Sequence, residues 1–273
     1  MLAFPFAKIN LGLNVVRKRG DGFHDIESVL VPIPLRDALE AIIDPTLPPG
    51  EAVLTRSGIP VPGEVQDDLC LKAVRALRSL RPLPGLRLHL HKAIPTGAGL
   101  GGGSSDAAHL LLLLNDLLDL RLEFAQLHAL AADLGSDCPF FLEERPQLAE
   151  GRGEELSPVE LDLHGQWLVL VNPGIHVATA EVYRNTTPTA RSMDLRSALS
   201  GDPEAWSSTV VNTMEPHVLR SYGAVARVKA MLQEAGAYYA AMSGSGSSVF
   251  GLFRSRPVLP AFPEDHREWV LRL

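Results

Sequence analysis

The sequence predicts an α+β protein built in two parts, and three stretches carry that prediction. Residues 7–16 set Ala7, Ile9, Leu11, Leu13 and Val15 against Lys8, Asn10, Gly12 and Asn14, the period-two pattern of a strand with one polar face. "GLRLHLHKAI" runs through the glycine-rich "PTGAGLGGGSS" into "SSDAAHLLLLLNDLLDL", a strand, a loop and a helix with almost no spacer. Beyond about Gly151 a new unit begins, which ends in the helical pattern "YGAVARVKAMLQEAG" and in "AYYAAMSGSGSSVFGLF", two strands around a Gly/Ser turn.

In chain order, the first strand turns at "RKRGDG" and resumes as "FHDIESVLVPIPL", so a hairpin is expected. Residues 38–63 mix short apolar runs with Pro and Gly and read as further strands and loops. A helix follows at about Asp67 to Leu80. The leucine-rich helix after the glycine loop is expected to be capped by its serines, with Asp106 also in a capping role; it is apolar nearly all round and so buried. "EFAQLHALAADLG" is a second helix stopped by Gly135, and "SDCP" turns into "FFL". "QWLVLVNPG" reads as a strand and "DLRSALSG" as a helix.

At 273 residues, 46% hydrophobic and 21% charged, the chain has the composition of an ordinary globular protein. Its formal net charge of -7 and the lack of basic runs argue against nucleic acid as partner. Cys70 and Cys138 are too few for a disulfide scaffold and lack metal-ligand spacing, which suits a reducing, cytoplasmic compartment. The apolar run Leu110 to Leu114 is far short of the ~18–20 residues that span a bilayer, so no membrane segment is expected.

The glycine loop admits three readings. A flexible linker is disfavoured because a strand enters it and a helix leaves it. A dinucleotide turn has a literal G-x-G-x-x-G at Gly97, Gly99 and Gly102, but the next element reads as another helix where a second strand is required. A phosphate cradle fits best, with glycines admitting the anion to backbone amides at a helix start and Ser104 and Ser105 adding hydroxyls. It is not a P-loop, since Gly103 and Ser104 stand where G-K-[ST] would be.

On the residues alone the polar candidates have ordinary explanations. Lys8 reads as a solvated strand lysine, Asp137 as a turn or capping residue, His24 as a surface histidine and Lys92 as a solvated strand end. Their company changes this. "PTGAGLGGGSSDAA" resembles motif two of the GHMP kinases, the group of galactokinase, homoserine kinase and mevalonate kinase. "AKINLGLNV" with "RGDGFHDIESVL", "LGSDCPFFL" and "MSGSGSSVFGLF" are similar to three further segments of the same family, in its order.

The resemblance implies a ribosomal-protein-S5-like α/β domain over residues 1–152 that binds ATP, and a ferredoxin-like α+β domain over 153–273. The "GLGGGSSDAA" form is similar to the branch that phosphorylates the 2-hydroxyl of 4-diphosphocytidyl-2-C-methyl-D-erythritol in non-mevalonate isoprenoid precursor synthesis. It implies Asp137 as general base and Lys8 beside it, keeping the carboxylate ionised and orienting the attacking hydroxyl. For ATP it implies Lys92, Pro95, Gly97, Gly99, Leu100, Gly101, Gly102, Gly103, Ser104 and Ser105, with Mg2+ offsetting phosphate charge through ligands that are not readable. Asp68 departs from the family's asparagine near the adenine, lacking its amide donor.

For the substrate, a small cytidine diphosphate compound, the resemblance implies Phe23 against the cytosine and His24 at its edge. Tyr183 and Thr179 would form the other wall, although a tyrosine there also reads as the anchor of a short helix. Asn10 shares a strand face with Lys8, and Gly244 and Ser245 would approach the substrate or phosphates, unless "SGSGSS" is only a hairpin turn. No nucleic acid or membrane partner and a monomer or weak homodimer are expected. Three rivals remain: another GHMP-type small-molecule kinase, which would lack "GFHDIES"; an NAD-binding dehydrogenase; and a silent nucleotide-binding module.

Overall fold

A computed structural model describes residues 1–189 and 194–273. In chain order its elements begin with strands β1 (Leu2–Ala3), β2 (Phe6–Lys18), β3 (His24–Arg36), β4 (Ala38–Ile43) and β5 (Ala52–Gly58). Helix α1 (Leu69–Leu80), strand β6 (Leu86–Lys92) and helices α2 (Gly102–Leu117) and α3 (Phe124–Leu134) follow. Next come β7 (Gln147–Glu150), β8 (Glu155–Pro158), β9 (Trp167–Asn172) and the helices α4 (Thr179–Asn185), α5 (Leu195–Leu199), α6 (Trp206–Thr209), α7 (Glu215–Ser221) and α8 (Gly223–Glu234). Strands β10 (Tyr239–Met242), β11 (Val249–Phe253) and β12 (Arg267–Arg272) close the chain. No helix among the described residues is long and apolar enough to cross a membrane.

Contacts divide the chain into two compact units, one of residues 1–7, 35–96 and 101–144, the other of residues 8–34, 97–100 and 145–273. The first holds a sheet of order β1-β4-β6-β5, antiparallel except for β5 against β6. Alternation along β6 buries Leu86, Leu88 and Leu90 and exposes Arg87, His89 and His91, as the period of a strand requires. Helix α2 packs against α1, α3, β1, β4 and the 3-10 turn Cys138–Leu142, which explains its almost continuous run of leucines. Each fully buried leucine contributes about 1.5–3 kcal/mol of transfer free energy.

Two helix starts differ from expectation. Asp68 is the N-cap of α1, its side chain accepting from the Cys70 amide at 2.9 Å, and residues 65–67 form a separate 3-10 turn. Helix α2 is not capped by its serines: Gly101, left-handed at φ 71°, is the N-cap and has no side chain to offer. Asp106 is not a cap either, because it sits on the second turn, facing the core. The glycines needed for the loop's path have displaced serine capping, and the helix is held by packing instead. Gly135 ends α3 as expected.

The second unit holds two sheets, of order β2-β3-β7-β8 and β10-β11-β9-β12. The hairpin of β2 and β3 closes through the Arg19 amide on the Phe23 carbonyl at 2.8 Å. The other sheet is antiparallel throughout and has the strand order of a ferredoxin-like fold, with a loop in place of the second crossover helix between β11 and β12. Its core gathers Val15, Val169, Val171, Val182, Val218, Val228, Leu232 and Val249 around α8 and the strands.

Candidate active site

Gly97, Gly99 and Gly101 have φ of 66°, 78° and 71°, so the loop follows a path that side-chain-bearing residues resist. Ser105 N already bonds Gly101 O at 2.9 Å, which leaves the amides of Gly102, Gly103 and Ser104 without an intrahelical acceptor at the positive end of α2. Three such amides on a glycine path are an arrangement able to accept an anion. Pro95 and Ser105 are buried at its flanks, and Leu100, fully buried, accepts the Lys8 amide at 3.0 Å.

Within the second unit, residues 97–100 are joined to the turn between β10 and β11. Ser243 Oγ donates to Gly99 O at 2.8 Å and the Ser248 amide to Ala98 O at 3.3 Å. A Cβ on Gly99 would stand 2.0 Å from Ser243 O, so the two glycine-rich segments touch only because residue 99 has no side chain. Gly244, also left-handed, lies beside Gly99 Cα, and Asn212 Nδ2 holds the turn through Met242 O and Gly244 O at 2.9 and 2.8 Å.

Lys8 and Asn10 are both buried, and Lys8 Nζ donates to Asn10 Oδ1 at 2.6 Å. Asn10 Nδ2 donates to Ser28 Oγ, which donates to Gly12 O, each at 2.7 Å, so the polar face of β2 is a connected chain of hydrogen bonds rather than solvated side chains. Near the hairpin turn the His24 and Tyr183 rings stack at 4.9 Å between centroids and 23° between planes. Phe23 is 54% exposed, with the Arg152 guanidinium 5.2 Å from its ring centre. Thr179 Oγ1 and Ser245 Oγ share a hydrogen bond of 2.9 Å. Burial, helped by the Lys18 charge, holds His24 below its ordinary value.

Within the first unit a cavity of about 190 Å³ is lined by Val61, Pro62, Leu69 and Leu90 on its apolar side and by Asp68, Lys92, Gly103 and Asp106 on its polar side. Asp68 is occupied on both oxygens, by the Cys70 amide and by Arg56 Nη1 at 3.4 Å. Lys92 is not a solvated strand end: its Nζ donates to Asp37 and, at 2.6 Å, to Asp106 Oδ2. Burial works against the Lys92 charge, but the Asp106 and Asp37 carboxylates outweigh it and raise its pKa. Asp137 stands just before the Cys138–Leu142 turn, and its side chain makes no capping bond to it.

The models of the GHMP kinases N terminal and GHMP kinases C terminal domains match residues 68–144 and 190–265. A relative from Parabacteroides distasonis, named 4-diphosphocytidyl-2-C-methyl-D-erythritol kinase, is 46% identical over 93% of this chain and 92% of its own. The chain belongs to the GHMP kinase family. A protein of the same name from Cytophaga hutchinsonii is 45% identical over 94% of both chains. A crystal structure of 4-(cytidine 5'-diphospho)-2C-methyl-D-erythritol kinase matches with a TM-score of 0.79 at 31% identity, over 99% of this chain and 98% of that one. Homoserine kinase from Cytophaga hutchinsonii, 17% identical with a TM-score of 0.67, shares the fold.

The element after α2 is the helix α3, where a dinucleotide fold needs a strand, so the literal G-x-G-x-x-G of Gly97, Gly99 and Gly102 does not sit in a dinucleotide-binding unit. Sequence reasoning missed Asp37, Arg152 and Asn212, all of which hold a candidate site residue or its loop. Asp37 and Asn212 stand alone between ordinary neighbours. Only their distant partners mark them.

Proposed function

We propose that this kinase transfers the γ-phosphate of ATP to the 2-hydroxyl of 4-diphosphocytidyl-2-C-methyl-D-erythritol, giving the 2-phosphate and ADP, a step of non-mevalonate isoprenoid precursor synthesis. The observation that carries the substrate is the near full-length relationship, at 46% identity, to a protein named for it. Asp137 takes the hydroxyl proton as that oxygen forms its bond to the γ-phosphorus and the bond to the β-bridging oxygen breaks. Lys8 keeps the base ionised and orients the hydroxyl; its own ammonium is steadied by Asn10.

The amides of Gly102, Gly103 and Ser104 cradle the phosphates, with Ser105 completing the helix start, and the Asp68 cavity takes the nucleoside. Among the described residues no group of three or more His, Cys, Asp or Glu side chains could hold a metal ion. Mg2+, bound together with the nucleotide, would offset the charge of the phosphates. Phe23, His24, Tyr183 and Thr179 form the cytosine side, and Gly244 and Ser245 lie against the remainder of the substrate.

We place the boundary between the two family halves near 152/153, in keeping with the matched ranges 68–144 and 190–265, and read the protein as a cytoplasmic monomer or weak homodimer. The test is direct: purified protein with ATP, Mg2+ and the cytidine substrate produces ADP. Turnover of homoserine or mevalonate in its place would sink the substrate assignment.

A further inference from the structure

Asp37 lies between β3 and β4 and is only 1% exposed. Its Oδ1 accepts from the amides of Ala93 at 2.6 Å and Ile94 at 2.8 Å, the two residues that lead from β6 into the glycine loop. Its Oδ2 accepts from Lys92 Nζ, which also donates to Asp106 Oδ2 on α2. The first residue of α2 rests on this cluster: a Cβ on Gly102 would lie 2.9 Å from Ile94 Cγ2 and 3.2 Å from Lys92 Nζ. One buried carboxylate thus meets both the entry of the loop and, through one ammonium, the helix at its exit.

We propose that Asp37 is a positioning residue for the nucleotide. Through the Ala93 and Ile94 amides and through Lys92 it fixes where the loop leaves β6 and where α2 begins, so that Lys92 serves ATP through the loop rather than by touching phosphate. The proposal rests on the ATP reading above. Two of the three hydrogens of the Lys92 ammonium are taken by the buried Asp37 and Asp106 carboxyls, whereas the amides at the start of α2 have no intrahelical acceptor. Removing one member of a buried ionic group leaves the others uncompensated, so the cluster has one stable arrangement and passes that rigidity to the loop.

Asp37→Asn tests this, because it keeps an oxygen for the two amides and sets an NH2 group against the Lys92 ammonium. In folded protein, verified by thermal melting, the KM for ATP rises about tenfold while that for the cytidine substrate stays within about twofold. Lys92→Met gives the same split, and the double variant costs about as much as the larger single one, as for two parts of one device. An unchanged ATP KM in folded Asp37→Asn, or a rise confined to Lys92→Met, overturns the proposal in favour of direct phosphate contact. A measurement on the unaltered protein covers the case in which Asp37→Asn does not fold. Saturating non-hydrolysable ATP analogue slows hydrogen exchange at the Ala93 and Ile94 amides, by reciprocity of coupling; no change there also overturns it. Absence of ATP binding to the unaltered protein is a separate outcome, which removes the ATP reading itself.

Discussion

The imidazole of His24 lies on the phenol ring of Tyr183, 4.9 Å away and nearly parallel, although 159 positions separate them in sequence (183 − 24). At that spacing no third ring fits between them, so a cytosine must either stack on the outside of the pair or part it. On the outer face of Tyr183 or between the two rings, the cytosine gains face area from Tyr183. Tyr183→Ala raises the KM for the cytidine substrate by up to about tenfold, the equivalent of a 0.5–1.5 kcal/mol ring contact, and leaves that for ATP unchanged. Tyr183→Phe keeps the face and stays near the starting value. Steady-state kinetics with each substrate varied in turn decides it.

The same pair gives a pH dependence. Burial, aided by Lys18, depresses the His24 pKa below 6.5, so the folded protein binds this proton more weakly than the unfolded chain does. The contribution of the neutral stack is present above about pH 6.5 and is lost as pH falls from there through the folded value. The KM for the cytidine substrate rises over that interval, and His24→Gln flattens the profile. A KM that stays level from pH 7.5 to 5 in the unaltered protein contradicts the assignment.

Asp137→Asn keeps the shape of the side chain and removes its basicity. As a general base it is worth about 10²–10⁴ in rate, so kcat falls by that factor while ATP still binds with its original affinity by calorimetry. A variant that retains more than a tenth of the activity leaves the base elsewhere.

Gly99→Ala and Gly97→Ala separate backbone conformation from contact. Both place a side chain at positive φ, at a cost of roughly 1–2 kcal/mol. At 97 the added carbon meets His176 Nδ1 at 3.4 Å, an ordinary contact, whereas at 99 it meets Ser243 O at 2.0 Å. Gly97→Ala therefore lowers the melting temperature modestly. Gly99→Ala abolishes turnover and lowers it by distinctly more.

Asp68 caps α1 and pairs with Arg56 while facing the cavity assigned to the nucleoside. Asp68→Ala costs about 1 kcal/mol in urea unfolding through the lost cap, and Asp68→Asn only a few tenths. Equal losses would show that the Arg56 pair, not the cap, is what matters.

Much of the fold was legible because periodicity and punctuation are local. The alternation of β2, the leucines of α2 and the Gly135 stop all stand in the residues themselves. The short elements α6, α7, β7, β8 and β12 do not stand out in the sequence, since runs of four to seven residues carry too little pattern and are held by what they pack against. At the site the quoted motifs were readable, but the assignment of Asp106 to a helix cap failed for a physical reason. Capping is the usual use of an aspartate near a helix start, and only the distant Lys92 and Asp37 turn it into an ion pair. The stack of His24 on Tyr183 is equally hidden, because nothing local to either residue marks a ring 159 positions away as its partner.

The two compact units are each woven from three stretches of chain, and this sets an order of events during synthesis. The first unit has all its residues once position 144 has emerged, so α2 can pack on α1, α3 and its sheet at that point. The second cannot close then. Its hairpin of β2 and β3, made first, must wait for β7 and β8 to complete its sheet, and Leu13 waits for Val211 and Thr213. At about 5–20 residues per second the roughly 200 residues from Leu13 to Thr213 take about 10–40 seconds to make, so the oldest long strand of the protein is among the last to find all its partners.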